Sequence, residues 1–167
     1  MKPRILIIGG AGRSQMDSIM DRFRETGLYD VVNCGDYNGW SADLPKMLED
    51  CNQAALLGHS FAGIPILKAA SSQYGPAIWT KVKYVGLIDP VSCIPCVGSW
   101  ELPDPKLRHL WIRRTQIGAE VLVGCEVPLN ITNLFDAWKI DDKHNNIPHR
   151  EDVITRLLGD VHDVFYG

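Results

Sequence analysis

Residues 54–63 read Ala-Ala-Leu-Leu-Gly-His-Ser-Phe-Ala-Gly, and they restrict the possible folds more than any other stretch. The first four are apolar without polar alternation, the pattern of a strand covered on both faces. Helix-forming residues begin directly after Ser60. The chain therefore passes from buried strand to helix through one tight corner. A strand buried on both faces needs a layer above it and a layer below it. Such a corner belongs to an α/β protein with a parallel sheet.

The rest of the chain alternates in the same way. Residues 4–8 are a β-branched apolar run closed by Gly9-Gly10-Ala11-Gly12, a buried strand and a glycine turn. Ser14 can cap a helix through about Thr26, with Met16, Ile19, Met20 and Phe23 at helical spacing. Residues 29–34 predict a second strand, and Ser41 or Asp43 can cap a short helix to about Asp50. A helix over residues 61–72 follows the corner, and residues 83–88 predict the fourth strand, ending at Asp89-Pro90. Residues 91–104 read as a loop bearing prolines and cysteines. Pro105 signals the start of a helix to about Gly118. Residues 127–135 predict the last strand, 136–148 a polar loop, and 149–165 a final helix with Val153, Ile154, Leu157, Leu158 and Val161 on one face. The expected architecture is a mostly parallel sheet of five strands with helices on both faces, a three-layer α/β/α sandwich. With no repeat, low-complexity tract or linker, residues 1–167 are expected to form one domain.

Acids and bases are interspersed, and the net charge is −3. That pattern carries no footprint for nucleic acid or for an anionic membrane. The first apolar run is too short for a signal-peptide core or a membrane span, so a cytoplasmic location is expected. Five cysteines, an odd number, do not resemble a secreted disulfide framework.

A serine hydroxyl is a poor nucleophile unless a base takes its proton and donors hold the resulting oxyanion. A sharp turn that lifts Oγ above the sheet also crowds the backbone, so small residues are needed two before and two after the serine. Gly58 and Ala62 occupy those places. With these residues the chain resembles the α/β-hydrolase superfamily, whose nucleophile elbow reads G-x-S-x-G. Ala62 stands where the last glycine of that pattern would be. The resemblance implies a small serine hydrolase, an esterase with a Ser-Asp-His triad, acting on an ester or thioester without a cofactor or metal. It also implies oxyanion donors at the N–H groups of Phe61 and Ala11, with Gly10 beside the substrate. The bland alternative is that Ser60 only caps the following helix.

Of the five histidines, His59 lies inside the elbow, where its side chain is expected to point away from Oγ. His109 falls in the expected helix from Pro105 and reads as surface. His162 lies near the chain end. His144 precedes the last helix, where the resemblance places the catalytic histidine, and His144-Asn145-Asn146-Ile147 is similar to His-x-x-Ile segments of small members of the superfamily. His149 is the alternative base. For the acid, the resemblance points to the end of the late strand and favours Asp136. Asp89 is the alternative, because carboxyl ends of parallel strands line the ligand crevice.

Other readings compete. The loop Gly9–Gly12 could cradle a nucleotide phosphate, but Gln15 breaks G-x-G-x-x-G and no acid follows the second strand at the required place. A binding protein on the same scaffold, without catalysis, is the other alternative. Cys93-Ile94-Pro95-Cys96 lies in a loop and has no second pair for zinc. Trp100 and Trp138 are the tryptophans best placed to touch a small-molecule substrate. Residues 92–120 form the only stretch long enough to cap a site, which suggests a small or extended acyl group.

Overall fold

The computed structural model describes residues 1–10, 16–36, 40–68, 79–92, 108–114, 123–124 and 135–167. Over these residues the order is β1 (Arg4–Ile8), α1 (Asp17–Glu25), β2 (Asp30–Asn33), α2 (Trp40–Met47) and β3 (Ala54–His59). A 3-10 turn, Ser60–Ala62, leads into α3 (Gly63–Lys68). Next come β4 (Val82–Ile88), β5 (Val91–Ser92), β6 (Arg108–Arg114), β7 (Val123–Gly124) and β8 (Phe135–Ile140). A second 3-10 turn, Ile147–His149, precedes α4 (Glu151–Tyr166).

Six strands form one sheet in the order β2-β1-β3-β4-β6-β8. Every neighbouring pair in it is parallel. β5 and β7 pair antiparallel as a separate small sheet. The chain builds β2 on one side of β1 and then crosses to build β3 on the other. The carboxyl ends of β1 and β3 therefore lie side by side at a topological switch point, where sheets of this kind bind ligands.

Burial follows the pleat. Ile5, Ile7, Ala55, Leu57, Tyr84, Ile88, Leu110 and Ile112 share one core with Ile19, Met20 and Phe23 of α1 and Val153, Ile154, Leu157 and Val161 of α4. Alternate residues Leu6, Ile8, Leu56, Val85 and Leu87 are equally buried and face the other way. On that second face lies α3. A Cβ added to Gly58 would fall 2.4 Å from Cδ1 of Ile66. The sheet is thus covered on both sides. Each buried Leu or Ile side chain contributes about 1.5–3 kcal/mol from its removal from water.

The main sheet has six strands instead of five, β5 falls within the expected loop 91–104, and two further elements differ from the sequence reading. Residues 108–114, expected within a helix, are β6, a strand between β4 and β8. Pro105 gave a helix-start signal, but Leu110 and Ile112 are two apart and both buried in the core, which is strand periodicity. The late strand continues past Phe135, its expected end, to Ile140. Of the expected strand 127–135, residues 127–134 lie outside the described residues, as do 105–107 and 115–118 of the expected helix.

Candidate active site

Ser60 follows β3 without an intervening residue, at φ 59°. This left-handed conformation is uncommon for a residue with a Cβ and costs on the order of 1–3 kcal/mol. Packing around the corner holds it there. The strand and the following helix approach closely at positions 58, 62 and 66. A Cβ on Gly58 would stand 3.3 Å from that of Ala62, besides striking Ile66. With glycine at 58, the alanine at 62 is accommodated, which explains how the elbow tolerates its departure from G-x-S-x-G. From β1, Gly10 reaches the same point. A Cβ there would lie 2.6 Å from the Ser60 Cβ and 3.0 Å from Oγ. Gly10 is therefore packed against the serine.

His144 sits in the turn between β8 and the second 3-10 turn. The buried Ile147 and Pro148 anchor that segment. The imidazole Nε2 is 2.8 Å from Ser60 Oγ, and Nδ1 is 2.6 Å from Asp89 Oδ2. Asp89 directly follows β4 at φ 38°, and its N–H donates to the Ile112 carbonyl at 2.6 Å. Ser60, His144 and Asp89 are all buried. A carboxylate only accepts hydrogen bonds, so Nδ1 carries the proton and Nε2 accepts from the serine hydroxyl. This arrangement can move a proton from Ser60 to His144 and stabilise the resulting imidazolium.

His59 is fully buried. Its ring stacks on His144 with centroids 4.5 Å apart and planes 26° apart. Its Nε2 lies 3.2 Å from the His144 carbonyl oxygen. Burial, and secondarily the nearby His144, push its pKa down to about 3. The sequence reading of His59, a side chain pointing away from Oγ, does not include this contact with His144.

Asp136, the favoured acid, is not the partner of His144. It is the second residue of β8, at the amino end of the strand, exposed and ion-paired with Arg156 of α4. Arg156 also bonds Asp160, which accepts from Tyr84 near the start of β4. That polar cluster ties α4 to the end of the sheet away from Ser60. The later end of β8, at Ile140, is the physical reason. It moves Asp136 from the expected carboxyl end to the amino end, about 13 Å away at 3.3 Å per residue. His149, the alternative base, is exposed and bonds Ser18 Oγ through Nδ1 at 2.7 Å. His109 lies on β6, not on a helix, and His162 is exposed on α4. Trp138 is half-buried against the core shared with α1 and α4. Phe61 lies within the 3-10 turn that opens after Ser60. Ala11, Trp100, Cys93 and Cys96 lie outside the described residues.

No protein-family model matches the sequence, and no curated protein matches it. Solved structures do. A hydrolase from Oleispira antarctica aligns with a TM-score of 0.65 at 15% identity, covering 100% of this chain and 92% of that one. An α/β-hydrolase enzyme from the metagenome of lagoon sediments at Mar Chica, Morocco, gives 0.64 at 15% identity, over 98% and 91%. The product of a Listeria innocua gene gives 0.63 at 14%, over 99% and 94%. Such likeness at low identity is a likeness of architecture along nearly the whole length. The chain has the α/β-hydrolase fold.

Proposed function

We propose that the protein is a serine hydrolase that cleaves a carboxylic ester or thioester of a small or extended acyl group, through an acyl-enzyme on Ser60. The observation that carries this reading is the continuous buried chain of hydrogen bonds from Ser60 Oγ through His144 to Asp89. Ser60 Oγ attacks the carbonyl carbon while His144 Nε2 takes the hydroxyl proton. Asp89 holds the imidazole in the tautomer that can accept and stabilises the cation once formed. The N–H groups of Phe61 and Ala11 bind the oxyanion, and Gly10 leaves room beside Oγ for the acyl group. His144 then returns the proton to the departing alcohol or thiol. Water, deprotonated by the same nitrogen, hydrolyses the acyl-enzyme. The fold neighbours named as hydrolases support the same reaction class.

The test is covalent labelling with a fluorophosphonate probe, which modifies an activated serine. Wild type is expected to label and Ser60→Ala to remain unlabelled. Labelling that persists in Ser60→Ala would overturn the assignment of the nucleophile.

A further inference from the structure

We propose that His59 is a positioning residue that ties the nucleophile's corner to the base's loop, by stacking on the His144 ring and bonding the His144 carbonyl. The inference rests on the reading of His144 as the base. Sequence places His59 next to Ser60, so any grip it has on His144 also sets the distance between Oγ and Nε2. The two histidines are 85 positions apart, and His144 arrives on a loop that follows the last strand of the sheet.

Besides the buried Ile147 and Pro148 and the bond to Asp89, the loop has its own internal bonds. Asp142 accepts from the Lys143 N–H at 2.7 Å, from Asn146 Nδ2 at 3.0 Å and from Arg150 Nη1 at 3.1 Å. These contacts fix the turn internally. They do not fix its position over the sheet. His59 supplies a bond between β3 and the turn. A carbonyl oxygen can only accept, so His59 Nε2 carries the proton and donates to it. The ring face against His144 limits rotation of the imidazole that must stay aimed at both Oγ and Asp89.

The chemistry of this residue type suits the place. His144 must become an imidazolium during catalysis. A lysine or arginine at position 59 would repel that cation. A buried imidazole with a strongly depressed pKa stays neutral while offering one donor and one flat face. An apolar ring would fill the same space without the donor, and this separates a positioning role from simple core packing.

The experiment compares wild type with His59→Phe, His59→Gln and His59→Ala. Phenylalanine keeps a ring and loses the donor. Glutamine returns an amide N–H near the place of Nε2. Two readouts are taken: kcat and KM for p-nitrophenyl acetate, and the downfield proton NMR resonance of the His144 Nδ1–H. His59→Phe is expected to lower kcat by about 10–100-fold with KM changed less than about threefold, the signature of a misaligned reacting group. Its downfield resonance should broaden, and His59→Gln should restore both. Wild-type kcat and an unchanged resonance in His59→Phe would overturn the proposal, whether or not His59→Ala folds. If wild type neither hydrolyses ester nor labels with fluorophosphonate, the nucleophile reading fails. The resonance still decides on His59: its loss in His59→Phe supports the positioning role, and its retention overturns it.

Discussion

Replacing Asp89 by asparagine removes a charge and keeps the shape. In the folded protein Asp89 is fully buried, with one carboxylate oxygen 2.6 Å from His144 Nδ1. In the transition state the imidazole carries a positive charge whose centre lies about 4 Å from that of the carboxylate. At an effective dielectric constant of about 20, this attraction amounts to about 4 kcal/mol, or about a thousandfold in rate. A second effect adds to it. The asparagine amide can turn its NH₂ toward Nδ1, which favours the imidazole tautomer with the proton on Nε2. That tautomer cannot accept the proton of Ser60. Together the two effects predict a loss of about 10³–10⁴ in kcat, with KM changed only a few-fold. Asp136→Asn is the control, since it breaks only an exposed pair with Arg156. It should cost less than about threefold in rate and about 0–1 kcal/mol in stability. Steady-state ester hydrolysis measures the rates, and circular dichroism checks that each variant is folded. The reasoning is refuted if Asp136→Asn loses more activity than Asp89→Asn, or if Asp89→Asn stays within tenfold of wild type.

The remaining predictions use the same geometry. Gly10→Ala would push a methyl into contact with Cβ and Oγ of Ser60, neither of which can retreat far from the strained corner. Fluorophosphonate labelling should slow by about 100-fold, while wild-type speed would refute the close approach. Acid stability should depend on His59. In the unfolded chain it takes up a proton near pH 6.5, but in the folded protein only near pH 3. Between those values the unfolded state binds more protons, so stability falls as pH falls, by up to about 1.4 kcal/mol per unit from this one group. Urea titrations from pH 7 to pH 4 should show a shallower acid decline in His59→Gln. An identical slope would show that the buried imidazole does not drive the decline.

Local order was legible wherever one stretch of sequence contained the whole cause. The run 54–57, the corner at Ser60 and the apolar stripe of α4 each bury their own residues in a pattern with a single reading. Ser60 and His144 were recognisable because their positions relative to strand and helix ends are local properties, and both now lie 2.8 Å apart. The elbow's altered letter was not interpretable from sequence. Whether an alanine fits at position 62 depends on the space left by Gly58 and Ile66 across the strand–helix packing.

The errors have one origin. Residues 108–114 carry arginines, a histidine and a tryptophan among few aliphatic residues, and a nearby proline suggested a helix. The alternation of Leu110 and Ile112 is compatible with a strand, but the slot between β4 and β8 decides it, because the sheet supplies hydrogen bonds on both edges. The end of β8 was misplaced for the same reason, and with it the acid. Sequence by itself determined a parallel α/β sheet, a serine at a strand-to-helix corner and a histidine before the last helix. The tertiary structure alone decided which carboxylate faces that histidine and that His59 stacks on it. Those contacts join residues 55 and 85 positions apart. Strand register and strand order bring them together, and both are set by the packing of the whole sheet.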